Sequence, residues 1–229
     1  MIKHCLIKIS RLLAYKIFYV FRQLFFSGSA KWWEQRYSSG GTSGEGSYRR
    51  LAEFKAEEVN KFVKENGVKS VIEFGCGDGN QLNFAHYPSY IGFDISKKAI
   101  LTCQEKFFDN TSKNFFVYDP YNFDDIANQF KADLALSLDV IYHLVEDDLY
   151  TIYLKHLFGS GLKHVIVYSS DKEEFGRFYE KQVRHRNFTK DVAKLFPNWK
   201  LKEKIKNKYP VEKGSSQTSF SDFFIFEAD

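Results

Sequence analysis

Short unbroken apolar runs and helix-period segments alternate along most of this chain. The runs at 70–74, 90–94, 115–118, 133–138 and 164–169 predict strands. Helices are predicted between them over 81–85, 97–107, 124–130 and 146–158. A longer helix, about 48–66, precedes the first strand, with Leu51, Phe54, Val59, Phe62 and Val63 on its apolar side and Asn66-Gly67 closing it. This alternation makes right-handed crossovers and a parallel sheet covered on both faces. The tail breaks the rhythm. Segments 199–206 and 222–227 are strand-like, and the 207–221 connection leaves no room for a crossover helix, so the last strand runs antiparallel. The expected class is α/β, a seven-stranded, mostly parallel sheet with a C-terminal antiparallel hairpin.

Composition narrows this. At 229 residues, 44% hydrophobic and 18% aromatic, the chain suits one packed globule. Its net charge of +4 is mild and gathered near the N-terminus and at 200–208, so no nucleic-acid partner is expected. Cys5, Cys76 and Cys103 are too scattered for a disulfide framework or metal cluster, which fits a cytoplasmic location. Residues 1–28 stand apart from a main domain over 29–229. Lys8, Arg11, Lys16 and Arg22 interrupt any membrane-spanning run, and Lys16 also breaks the apolar region a signal peptide needs. At helical spacing Ile2, Ile9, Leu13, Ile17, Val20 and Leu24 share one face, and His4, Lys8, Arg11 and Arg22 the other. Two readings stand for this basic amphipathic helix: it lies on the inner membrane surface, or it docks on its own domain or a partner subunit.

Candidate chemistry centres on Gly75-Cys76-Gly77-Asp78-Gly79, which follows the first core strand. Its glycines allow a sharp turn and close approach of a ligand to the backbone. Asp94 ends the next strand, nineteen residues after Gly75, placed to accept both hydroxyls of a ribose. A nicotinamide fingerprint would carry glycine where Asn80 stands, and no lysine followed by Ser or Thr closes a phosphate loop. These residues resemble the class I S-adenosylmethionine-dependent methyltransferases from about Trp32 to the C-terminus, whose Rossmann-like sheet ends in the same hairpin. The resemblance implies S-adenosyl-L-methionine as cofactor and places Glu73 by the methionine end. It puts Gly75, Cys76, Gly77, Asp78 and Gly79 under the cofactor, and Asp94 and Ile95 at the ribose. Asp119 meets the adenine, and Leu138 through His143 lines the methionine and acceptor side. The stretch Trp32-Trp33-Glu34-Gln35-Arg36-Tyr37 with Gly40 to Gly44 resembles a segment that folds over the cofactor in small bacterial relatives. There Arg36 pairs with the methionine carboxylate and Tyr37 covers the sulfonium; the alternative is an aromatic helix on the sheet edge with a solvated arginine.

For the reaction itself, His143 follows the fourth strand closely enough to serve as general base, with Asp139 orienting or charge-stabilising its ring and Tyr142 and Tyr168 as weaker candidates. The sequence holds no pattern of a zinc site, serine triad or catalytic cysteine pair. Arg184-His185-Arg186, ahead of a predicted helix cap at Thr189, either grips an anionic substrate group or is solvated. Lys208, Tyr209 and Lys213 are expected near the substrate. The combination of WWEQRYSSGG, FGCGDGN and SDFFIFE resembles methyltransferases of bacterial capsule and surface-polysaccharide synthesis, which implies O-methylation of a sugar or sugar-linked group. The competing readings are another small-molecule, lipid or protein acceptor, a catalytically silent scaffold, and an oxidoreductase, which Asn80 and the hairpin disfavour.

Overall fold

A computed structural model describes residues 26–173, 181–212 and 214–229. The first 25 residues, where most of the amphipathic pattern falls, lie outside the described residues. The chain enters with helix α1 (Ser29–Ser38) and helix α2 (Arg49–Glu65). Strands β1 (Val71–Phe74) and β2 (Tyr90–Asp94) follow, then helix α3 (Lys97–Lys106), β3 (Lys113–Val117) and β4 (Ala132–Leu138). Helix α4 (Asp147–Ser160) runs straight into β5 (Gly161–Ser169), and α5 (Phe188–Leu195), β6 (Trp199–Ile205) and β7 (Asp222–Ala228) complete the fold.

The strands form one sheet in the order β3-β2-β1-β4-β5-β7-β6. All pairings from β3 to β5 are parallel, and β7 runs antiparallel to both β5 and β6, as the short 207–221 connection requires. Alternation along the inner strands divides the core. Ala135, Val165, Val167, Phe224 and Phe226 face α4 and α5. Leu134, Leu136, Ile166, Phe223 and Ile225 face α2 and α3. Each large side chain so buried contributes about 1.5–3 kcal/mol. Because the chain leaves β1 towards β2 on one side and reaches β4 on the other, the strand order reverses between β1 and β4. A crevice opens there beyond the C-terminal ends of the strands.

Three local expectations need correction. Residues 124–130 are not helical: the Asp125 carboxylate takes the amides of Gln129 and Phe130, and Asn128 adopts φ 52°. Side-chain capture of backbone donors competes with a helix here, and Phe123 and Phe130 pack on Phe93 in its place. The 81–85 segment is a single 3₁₀ turn, Gln81–Phe84. Thr189 lies inside α5, which starts after Asn187, and its hydroxyl donates to Asp171 Oδ2 at 2.7 Å.

Candidate functional site

The floor of the crevice is the elbow after β1. Both the Gly75 and Cys76 amides donate to the Phe93 carbonyl, at 2.7 and 2.9 Å, and turn the chain sharply off the strand. Gly75 and Gly77 have φ of 88° and 59°. A Cβ on Gly75 would sit 2.4 Å from Val140 Cγ2, and one on Gly77 2.2 Å from Ser43 Oγ, so conformation and packing both demand glycine. Asp78 faces the other way. Its Oδ2 accepts the Ser43 amide (2.9 Å) and the Tyr48 hydroxyl (2.8 Å), which fastens the 42–48 segment onto the elbow. Burial acts to raise the Asp78 pKa, but these hydrogen bonds hold it below the usual carboxylate value.

Two buried carboxylates stand at the strand ends. Asp94 accepts the Gly77 amide on Oδ2 and the Ser96 amide on Oδ1, both at 2.9 Å, and each oxygen keeps a further lone pair. Burial pushes its pKa up to about 6 against those bonds. Glu73 accepts the Tyr90 hydroxyl at 2.6 Å, and burial raises it to about 7 despite that bond and the nearby Lys55 charge.

The β4 side carries the expected base, His143, and its expected partner, Asp139. Asp139, at φ 61°, gives Oδ2 to Lys55 Nζ at 2.8 Å and Oδ1 to the hydroxyls of Tyr142 and Ser221 at 3.0 Å each. It is an ion-paired anchor that makes no hydrogen bond to His143, so it does not orient the ring as expected from the sequence, while its charge still acts to raise the imidazole pKa. The His143 ring is held by the Gln182 carbonyl, 2.9 Å from Nδ1. A carbonyl only accepts, so the proton sits on Nδ1 and Nε2 presents its lone pair. Burial depresses the imidazole pKa to about 4, so the ring is neutral at physiological pH. Tyr168 lies behind this wall, its ring 5.5 Å from Lys55 Nζ.

Helix α1 roofs the crevice with Ser29, Ala30, Trp33 and Tyr37, which share one helical face. The Ser29 amide and hydroxyl donate to the Glu146 carboxylate at 2.8 and 2.7 Å, which ties the roof to the turn after His143. Trp33 meets the His143 ring edge-on at 4.9 Å. The cleft has a free volume of about 90 Å³, and Gly75, Cys76, Gly77, Asp94, Ile95 and Leu138 are among its lining residues.

Other candidates fall elsewhere. Arg36 donates to the Thr42 carbonyl at 2.6 Å, with its guanidinium 5.5 Å from the Trp32 ring, and does not line the cleft. Gly79 packs beneath the elbow on Phe107 and Cys103. The Asp119 carboxylate is exposed and takes the Tyr121 amide and the Asn122 side chain, while its neighbours Tyr118 and Pro120 form the wall. Arg186 is neither solvated nor free for substrate: it donates to the Leu144 and Val145 carbonyls and stacks 4.3 Å from the Tyr150 ring. Arg184 pairs with Asp147 at 2.9 Å, and His185 Nδ1 lies 2.6 Å from Ser170 Oγ. Tyr209 packs on Phe54 and Arg50, with Lys208 exposed beside it. Lys213 lies outside the described residues.

Lys55 and Gln81 line the cleft and were missed. The signal for Lys55 was a charge set on the apolar side of α2, next to Phe54 and one turn before Val59. Gln81 carried no signal of its own. Among the described residues no cluster of His, Cys, Asp or Glu is arranged to hold a metal, and no helix is long and apolar enough to cross a membrane.

Residues 47–206 match the family described as a methyltransferase domain. No curated protein matches the chain at significant similarity. Among solved structures, the N-methyltransferase NodS from Bradyrhizobium japonicum WM9 in complex with S-adenosyl-L-homocysteine aligns with a TM-score of 0.65 at 13% identity, over 88% of this chain and 99% of that one. Magnesium protoporphyrin IX methyltransferase (ChlM) from Synechocystis PCC 6803 with bound SAM aligns at 0.58 and 18% identity, over 92% and 96%. The methyltransferase domain of bacterial CtHen1-C aligns at 0.59 and 19% identity, over 78% and 99%.

Proposed function

We propose that this chain, a member of the methyltransferase-domain family, uses S-adenosylmethionine to methylate a hydroxyl on a sugar or sugar-linked group of a bacterial surface glycan. The residues present suit that donor. Asp94 has spare lone pairs for a ribose diol, and Ile95, Tyr118 and Pro120 offer an apolar wall for a base. Glu73 and Asp94, both raised by burial, are stabilised in their ionised forms by a cationic ligand.

S-adenosylmethionine supplies a methyl group already activated on a sulfonium. The protein's part is to hold the acceptor oxygen in line, exclude water and remove the hydroxyl proton. The observation that carries an oxygen acceptor is His143: Nδ1 is committed to Gln182, and the neutral ring offers Nε2 to that proton. A glycan is supported by the aromatic surfaces grouped around it. Trp33, which lines the cleft, meets the imidazole edge-on at 4.9 Å, and exposed Phe220 packs edge-on at 4.8 Å to the buried Tyr142 ring beside it. Such faces suit the C–H surface of a pyranose. The resemblance of the N-terminal, elbow and C-terminal motifs to capsule-associated enzymes supports the same reading. A lipid-linked acceptor would give the amphipathic 1–28 segment a purpose as a membrane-surface anchor.

Radiolabelled methyl transfer onto a panel of nucleotide sugars and lipid-linked glycans tests this. The expected product is label in a base-stable ether on a sugar. Label only on protein, lipid or non-glycan amines would overturn the acceptor assignment and leave the methyltransferase standing.

A further inference from the structure

The rim of the cleft carries a cation that is fixed in place and has no counter-ion among the described residues. Arg36 stands on α1 one turn beyond Trp33 and two turns beyond Ser29, so it follows the helical face that roofs the cleft. Its side chain is held from several directions. Nε donates to the Thr42 carbonyl at 2.6 Å, and the guanidinium carbon lies 5.5 and 5.8 Å from the Trp32 and Trp33 ring centroids. Gly41 leaves room for the stem, since a Cβ there would sit 2.8 Å from Arg36 Cγ. Among the described residues nothing accepts a hydrogen bond from Nη1 or Nη2, and no carboxylate pairs with the charge. Arg184 and Arg186, by contrast, share Asp147. A planar fork of donors that is already ordered and partly exposed suits a carboxylate or phosphate, and a ligand that meets it loses little side-chain entropy.

We propose that Arg36 seats an anionic group of the acceptor, a carboxylate or phosphate on the sugar, beside the hydroxyl whose proton His143 removes. The proposal rests on the glycan-acceptor reading and adds the acceptor's charge to it. Trp33 sets the distance. Its ring carries the guanidinium on one side and meets the His143 ring edge-on at 4.9 Å, so anion seat and base are separated by a single indole. Arg36 does not line the cleft that encloses the donor, so the anion it meets arrives from outside, with the acceptor. Uronic acids carry such a group, and so do sugars linked through phosphate to a nucleotide or lipid. The seat also acts on the base. Burial is the main cause of the low imidazole pKa, and the Arg36 charge adds to it. An anion on Arg36 cancels that contribution and makes Nε2 a stronger base when an acceptor of the right charge is in place.

Tryptophan fluorescence of the full chain tests the assignment, because two of its three tryptophans carry the guanidinium on their rings. The protein is saturated with S-adenosylhomocysteine and titrated at constant ionic strength with glucuronate, inorganic phosphate and glucose, which separate a carboxylate, a phosphate and an uncharged sugar. Glucuronate or phosphate should bind at least about tenfold more tightly than glucose, and Arg36→Gln should remove that preference, as loss of charge-assisted hydrogen bonds implies. Should Arg36→Gln not fold, Arg36→Lys gives up the planar fork and should show the same selective loss in smaller measure. Anions that bind no better than glucose, or a preference that survives Arg36→Gln, overturn the proposal. So does a fall in S-adenosylhomocysteine affinity in the variant, which would return Arg36 to the donor's carboxylate. Methyl transfer onto non-glycan acceptors with the Arg36-dependent anion preference intact overturns the glycan reading instead, so the two failures are distinct.

Discussion

Glu73→Gln should make the free protein more stable and the donor bind less tightly. The carboxyl is 4% exposed, and its pKa rises from an ordinary 4.5 to about 7 in the fold, chiefly through burial. A folded pKa above the unfolded one means that the native state holds the proton more firmly. Stability from this group is therefore fully present below pH 4.5 and is lost as pH rises through about 7. That interval corresponds to about 3 kcal/mol. Glutamine stays neutral throughout and keeps an oxygen for the Tyr90 hydroxyl. At pH 4 the two proteins should melt together. At pH 8.5 the variant should be more stable by about 2–3 kcal/mol, a Tm rise of roughly 5–10 °C for a domain of this size. Adding S-adenosylhomocysteine should shrink the gap, because the ionised carboxylate favours the donor's ammonium. Thermal melts of both proteins at the two pH values, with and without that ligand, check all three points. A variant that is equally stabilised at both pH values, or destabilised at pH 8.5, would refute the argument that Glu73 is a charge held in readiness for a cation.

Further outcomes follow from the same geometry. Lys55→Met leaves Asp139 buried and unpaired and should cost about 3–5 kcal/mol in urea denaturation; a loss below 1 kcal/mol would mean that Tyr142 and Ser221 suffice to hold the carboxylate. Gly77→Ala, at φ 59° and 2.2 Å from Ser43 Oγ, should cost about 1–2 kcal/mol in backbone strain and displace Ser43 from Asp78. Unaltered S-adenosylhomocysteine affinity in that variant would contradict the role given to the elbow. Donor affinity should fall as pH drops through about 7, where Glu73 takes up its proton, and more steeply below about 6, where Asp94 does too; Asp94→Asn should remove the lower limb and leave the upper one, which isothermal titration across pH can read. His143→Ala should lower kcat by about 10²–10⁴ with donor affinity retained. With the imidazole neutral above about pH 4, the wild-type kcat profile should show no histidine limb between pH 5 and 8.

What could be read from the sequence and what could not divides along chain distance. The strands, the elbow and Asp94 depend on periodicity and on residues within one βαβ unit, and all stand where the pattern puts them. The partners of Asp139 do not. Lys55 and Ser221 lie 84 and 82 residues away, and only the fold brings them to the carboxylate. Proximity along the chain suggested His143 instead, whose true partner is a backbone carbonyl 39 residues on. Arg186 misled for a related reason: an arginine in a loop pattern is usually solvated, yet its donors serve carbonyls 41 and 42 residues away. The false helix at 124–130 was a local error. Asp125 and Asn128 are residues that prefer to bind the backbone themselves, and helical periodicity masked that preference.

The tie between Ser29 and Glu146 makes the roof of the cleft continuous with whatever precedes it in the chain. An addition fused ahead of Ser29 bears on the first turn of α1 and, through Glu146, on the turn that follows the imidazole. Such an addition thus bears on the roof of the cleft, whereas one after Asp229 leaves that tie untouched.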